Sequence, residues 1–488
     1  MRKAFTMGFL LLLLCRLGWA QQTGTPAGGT TNRIQFTEYD LPNGLKVILH
    51  QDNSTPIVAV TMMYHVGSKN EDTARTGFAH FFEHLLFEGS EYMKRGDFDK
   101  LNKNAGGTNN ANTSNDRTFY YQIFPSNQLE LGLWMESERL LHAKIDQAGV
   151  DTQREVVKEE KRQRIDNQPY GSILSETVKR AYTKHPYRWA TIGSMEHLNA
   201  ASLDEFIGFY KQFYVPNNAI LSIAGDIKIE DTKKLVAKYF ADIPKGTKEI
   251  YRPNITEPQQ TAEVRDIIYD NVTLPAIIQA YHIPAQGTSD YYALNMLTTL
   301  LAGGESSRFS KELKDKQQKV VGVGAFPFAL EDPGLFLTYG FANMGVKPED
   351  VEAAMDVEIE KVQNELIGEK EFQKLKNQIE NEFVNQNSTV AGIAESLANY
   401  EMYFGDANLI NTELERYQKV TREDIRNVAK KYLTKSNRVV LYYLPKSAQP
   451  AVKTEINTDA PVAVPAEAAP ASSASGSKKE KKKKKKDQ

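Results

Sequence analysis

Cysteine is almost missing from this 488-residue chain: its one copy, Cys15, lies within the first twenty residues. A disulfide framework is therefore excluded, and the fold must rest on a sufficient apolar core. Apolar runs of membrane-spanning length are missing as well. Met7–Leu14 is apolar but too short to cross a bilayer; with Arg2 and Lys3 before it and Gly18-Trp19-Ala20 after it, residues 1–20 read as a cleaved export leader. Leu13 and Leu14 are too large for the small-residue site that would precede a lipidated Cys15. The mature chain is expected to be exported, periplasmic or secreted. Excess positive charge is the third absence. The whole chain carries −2; setting aside +3 in the leader and a net +4 in the tail leaves −9 on the body, which argues against nucleic acid as the main ligand. The tail, residues 448–488, is Ala-, Pro- and Ser-rich and closes on the run Lys481 to Lys486. Its composition predicts disorder, with a Lys run that either touches anionic surfaces or only solubilises.

What is present concentrates in one pentad, His80-Phe81-Phe82-Glu83-His84. Imidazoles at i and i+4 share a helix face and can grip one cation, and Glu83 beside them can take a proton from water. The order H-x-x-E-H is the inverzincin pattern of metallopeptidases. Phe78, Ala79, Leu85, Leu86 and Phe87 make this helix apolar nearly all round, hence buried, where two His and a Glu are costly unless paired or coordinated. His50, His65, His142, His185, His197 and His282 have no comparable spacing and are assigned structural roles. A catalytic zinc usually takes a third protein ligand, and the charged helical segment Arg154–Arg162 is where to look for it.

From these residues the chain resembles the pitrilysin/insulinase family of zinc metallopeptidases, in particular its two-domain bacterial and mitochondrial processing peptidase-like members. The resemblance implies a third ligand Glu at the end of a motif like Arg154-Glu155-Val156-Val157; aligning on the valines puts it at Glu160, with Glu159 the choice of a one-residue slip. It implies that Gln153, where many relatives carry Glu, supports a metal ligand from behind; the amide can accept a hydrogen bond from a ligand imidazole but brings no charge. Gly106-Gly107-Thr108-Asn109-Asn110-Ala111-Asn112-Thr113 looks like the family's substrate edge, with Asn110 and Ala111 contacting a peptide that adds as a strand.

An internal repeat sets the architecture. Ser202–Phe206 through Asn218 and Ile220-Leu221 matches Thr421–Ile425 through Asn437 and Val439-Val440 at a constant offset of 219 residues. The reading is α+β: two homologous domains from an internal duplication, each a mostly antiparallel sheet packed with helices, at 33–245 and 262–447, joined by a linker at 246–261. Asn43-Gly44 predicts a hairpin between strands at Ile34–Phe36 and Leu45–Leu49, and Val58–Val66 a further strand. The second half, Tyr291–Gly304, has a helix but neither His nor paired Glu, so one Zn²⁺ per chain is expected. Some relatives carry an Arg and a Tyr in a later domain as oxyanion donors; the matching positions here are Lys314 and Val321. The resemblance therefore implies half of a clam-like chamber, completed by a homodimer or by a homologous two-domain chain that supplies those donors. The competing reading is a non-catalytic assembly subunit of an envelope complex that keeps the fold.

Overall fold

The computed structural model describes residues 33–450; the leader, and the tail beyond residue 450, lie outside them. Eleven strands form two sheets: β1 (Thr37–Asp40), β2 (Lys46–Gln51), β3 (Ile57–Tyr64), β4 (Thr108–Thr113), β5 (Thr118–Pro125) and β6 (Ala219–Gly225) in the first, β7 (Val264–Asp270), β8 (Ala276–His282), β9 (Val320–Phe328), β10 (Leu335–Ala342) and β11 (Arg438–Pro445) in the second. The orders are β1-β2-β6-β3-β5-β4 and β7-β11-β8-β10-β9. Dropping β1 makes them identical. Each sheet has one parallel pair, β2 with β6 and β7 with β11, and is otherwise antiparallel. No helix or strand occupies the stretch between Phe240 and Val264, where the linker was expected.

The duplication extends to single hydrogen bonds. Helices Leu203–Phe213 and Arg422–Tyr432 both begin with a reciprocal capping box, Ser202 with Glu205 and Thr421 with Asp424. After each helix an Asn side chain donates to the carbonyl closing the helix and to the residue at the end of a central strand: Asn218 to Phe213 and His65, Asn437 to Tyr432 and His282.

The first hairpin differs from expectation. Its first strand begins at Thr37, not Ile34, because Ile34 and Phe36 pack against the helix Val390–Phe404, and the Ile34 N–H donates to Asn411 Oδ1 at 2.8 Å.

Alternation along the strands explains the layering. On β3, Val58, Val60 and Met62 face the first half's own helices, whereas Ala59 and Met63 face the opposite side. That opposite side is covered by Val390, Ile393, Ala394 and Leu397 from the second half. The second sheet is treated likewise: Ile278, Ala280, Leu337 and Leu441 lie under Val178, Ala181 and Tyr182, contributed by and just after the first-half helix Ile173–Ala181. The two covering helices stand one repeat apart in sequence, so each half lends the same element to the other.

A buried charge cluster fastens the halves near the β9–β10 turn. Lys69 lies 3.0 Å from Asp116, 2.5 Å from Glu331 and 3.3 Å from Asp332, while His65 meets Glu331 at 2.9 Å. Asp116 also accepts from the Glu331 N–H and from the Tyr187 hydroxyl.

Candidate metal centre

The pentad lies on the helix Phe78–Leu85. Phe78, Ala79, Phe81, Phe82 and Leu85 are buried, and Phe78 and Phe82 stack on Phe206 and Phe209 of the helix Leu203–Phe213. This leaves His80, Glu83 and His84, at i, i+3 and i+4, on the remaining face. The helix has no side-chain N-cap of its own: Gly77 takes the left-handed conformation at φ 97°, and the buried Glu71 carboxylate accepts from the Gly77 and Ala79 N–H groups at 2.8 Å each. Burial pushes Glu71 up to about 8, against the pull of those two N–H donors.

The second contributor is the helix Gln147–Lys161, capped by Asp146 accepting from Gly149 N–H. Val150 and Val157 are its fully buried positions, and Glu160, three residues beyond Val157, falls on the same face. Glu159 falls outside that face and pairs with Arg162 and Gln163 at the surface. Of the two carboxylates the sequence offers, the fold therefore brings Glu160 to the pentad. Glu160 Oε2 lies 3.0 Å from His84 Nε2 and 3.5 Å from His80 Nε2. Among the described residues these three side chains form the one His, Cys, Asp or Glu group able to hold a metal ion.

The donor set fits a divalent cation such as zinc. Glu160 Oε2 is buried yet accepts no hydrogen bond of normal geometry, although an imidazole nitrogen is 3.0 Å away. Two nitrogens and one oxygen thus converge on a shared point rather than on each other. Burial, then the neighbouring His84, holds His80 below its ordinary range, so it stays in the neutral form a metal binds. The adjacent His84 imidazole, then the charges of His80 and Arg164, hold the Glu160 carboxyl down despite burial. Glu83 is shifted the other way, raised by burial, while Thr113 Oγ1 donates to its Oε2 at 2.7 Å and opposes the rise.

Asn110 and Ala111 lie on β4, the open edge of the first sheet. Ala111 N–H is turned from β5 and donates to the Asn110 side-chain oxygen at 2.9 Å, so an incoming peptide strand would exchange with that side chain. His80, Glu83, His84, Glu160 and this edge line one cleft of about 880 Å³, whose far wall, Pro327–Leu330, comes from the second half.

Three expectations fare differently. Gln153 makes no hydrogen bond to an imidazole. It lies two helical turns before Glu160, and its amide donates to Glu88, leaving its Oε1 and the His80 Nδ1 both buried without partners. Lys314 pairs with Glu305, Val321 is half exposed on β9, and neither lines the cleft. At the 219-residue offset Thr299 and Ile379 stand where His80 and Glu160 do in the first half. Sequence reading missed Glu71 and Arg164. The signal for Glu71 was an acid a few residues before Gly77; the whole charged run hid Arg164.

The comparisons agree with the geometry. The profile of the insulinase family, peptidase family M16, matches residues 46–194, and that of the M16 inactive domain matches residues 200–379. A zinc protease, PqqE, of Helicobacter pylori is 30% identical over 83% of this chain and 92% of its own length. An uncharacterized zinc protease of Rickettsia felis is 23% identical over 81% and 94%. The crystal structure of a protease from Helicobacter pylori superimposes with a TM-score of 0.81 at 28% identity, covering 84% of this chain and all of that one. The periplasmic protease PqqL from Escherichia coli shares the fold, with a TM-score of 0.69 at 18% identity over 84% of this chain and 47% of its own. Among the described residues no helix is long and apolar enough to cross a membrane.

Proposed function

The chain belongs to the M16, or insulinase, family of zinc proteases, and on that premise we propose that it is a zinc-dependent endopeptidase acting on peptides or unfolded segments. The observation that carries the reading is the convergence of His80 Nε2, His84 Nε2 and Glu160 Oε2 beside the raised, half-buried carboxyl of Glu83. Zinc held there, one ion per chain, would polarise a peptide carbonyl and make a water more acidic at neutral pH. Glu83 then does the proton work: it takes the proton released as water attacks the carbonyl carbon and gives it to the leaving nitrogen as the C–N bond breaks. Asn110 and Ala111 hold the peptide as an added strand on β4, and Pro327–Leu330 close the cleft opposite. The protein works outside the cytoplasm, periplasmic or secreted, as half of a dimeric chamber. A homologous second chain supplies the remaining oxyanion donors, or an identical one completes the chamber without them.

One observation favours the alternative of a non-catalytic assembly subunit: neither Lys314 nor Val321 lines the cleft. Cleavage of an internally quenched peptide by the zinc-loaded chain, abolished in Glu83→Gln with zinc content intact, distinguishes the two. Equal, negligible turnover by both proteins favours the subunit reading.

A further inference from the structure

Immediately beyond Glu160 the helix widens into a π-helical segment, Arg162–Asp166, a feature that often marks functional sites. Its middle residue, Arg164, enters the cleft. Arg164 Nη1 lies 2.5 Å from Glu160 Oε1, the oxygen that does not face the imidazoles, and the side chain is 76% exposed. No other Lys or Arg among the described residues lines the cleft.

The segment is well anchored. Lys161 pairs with Asp166, a Cβ at Gly171 would meet the Ile165 carbonyl oxygen at 2.4 Å, and Tyr170, at φ 63°, donates its hydroxyl to Leu274 O in the second half. Arg164 is thus presented by a fixed turn. Several other donors around the cleft are already engaged, Thr113 hydroxyl to Glu83, Tyr187 hydroxyl to Asp116, Trp189 indole N–H to Ser68 O and Ser175 hydroxyl to Ser172 O, and the side chains of Asn110, Asn112 and Thr191, which also line it, carry no positive charge. A guanidinium has five N–H donors, and among the described residues Arg164 has one ion-pair partner, Glu160.

We propose that Arg164 is a catalytic residue: one arm holds Glu160, and its free N–H groups donate to the carbonyl oxygen of the scissile peptide. This inference rests on the peptidase reading. As the water oxygen bonds to the carbonyl carbon, the C=O π electrons move onto oxygen and its charge grows. A fixed cation aimed at that oxygen stabilises the transition state more than the ground state. The chain thereby carries in its first half part of what Lys314 and Val321 fail to supply.

The test uses the full zinc-loaded chain with Arg164→Met and Arg164→Lys, read three ways: zinc affinity by chelator competition, kcat and KM on a quenched peptide at saturating zinc, and binding of a phosphinic peptide by calorimetry. Arg164→Met is expected to lower kcat by about a hundredfold or more with KM little changed, and to weaken the phosphinic peptide far more than the substrate, because the tetrahedral anion places charge where the donor points. Arg164→Lys should recover part of both losses by keeping the charge. Unchanged kcat, or a loss that excess zinc restores, overturns the proposal and leaves Arg164 only a support for Glu160. If the unmodified chain alone cleaves nothing, either turnover needs the homologous second chain or the peptidase reading fails, and phosphinic-peptide affinity, weakened or unchanged in Arg164→Met, still decides for or against Arg164.

Discussion

Thr113 Oγ1 donates to Glu83 Oε2 at 2.7 Å, tying the last residue of the open edge β4 to the base on the pentad helix. A peptide docking on that edge and the group that moves its proton therefore share one support. Thr113→Val should reduce kcat about tenfold while zinc content and KM stay near the unmodified values, and Thr113→Ser should restore turnover, because only the hydroxyl matters. Steady-state kinetics alongside metal analysis checks this. Equal losses in the Val and Ser variants would point to packing instead.

Glu160→Ala should weaken zinc by more than about a hundredfold, since loss of a ligand exceeds the loss of its supporting partners. Glu159→Ala, altering an exposed side chain engaged with Arg162 and Gln163, should leave zinc affinity unchanged. Metal content after dialysis against a chelator series separates them.

Glu71 gives a pH signature. Its folded pKa, about 8, lies above the ordinary 4.5, so the folded chain holds this proton more tightly than the unfolded chain. Its contribution is greatest below the ordinary carboxylate range and is lost as pH rises through about 8, with a full span of a few kcal/mol, on the order of 1.4 kcal/mol per unit. Thermal melts from pH 5 to 8.5 should fall more steeply for the unmodified chain than for Glu71→Gln, and parallel slopes would remove the assignment.

The Lys69 cluster should respond to acid in the opposite sense. Glu331 is half-buried, which alone would raise it, but His65 and then Lys69 hold it down to about 2. Its stabilisation is present above the ordinary carboxylate range and lost as pH falls toward about 2. Glu331→Gln should flatten acid denaturation in that window. Lys69→Met, which strands Asp116 and Glu331 without their cation, should cost about 3–5 kcal/mol by urea titration.

The sequence carried the pentad and the duplication plainly, because both are local patterns of spacing. Glu160 was legible through its motif, although the fold's reason for choosing it over Glu159 is the face shared with Val150 and Val157. Gln153 shows where spacing stops being enough: position along a helix does not name a side chain's partner on another element, and its amide donates to Glu88. Arg164 depends on a π-turn, whose register no charge pattern announces. The exchange of covering helices was equally unreadable, because Ile173–Ala181 and Val390–Phe404 present apolar faces without naming the sheet they fit.

That exchange has a history implied in it. Two like units trading the same element is the geometry of a domain-swapped, two-fold dimer. Here the trade is made within one polypeptide, so the partner is always at hand and assembly no longer depends on concentration. Once fused, either unit could shed its chemistry without shedding its role as a lid for the other. Thr299 and Ile379, at the offset positions of His80 and Glu160, stand in a half that offers no metal ligands there and still supplies the surface that covers its neighbour.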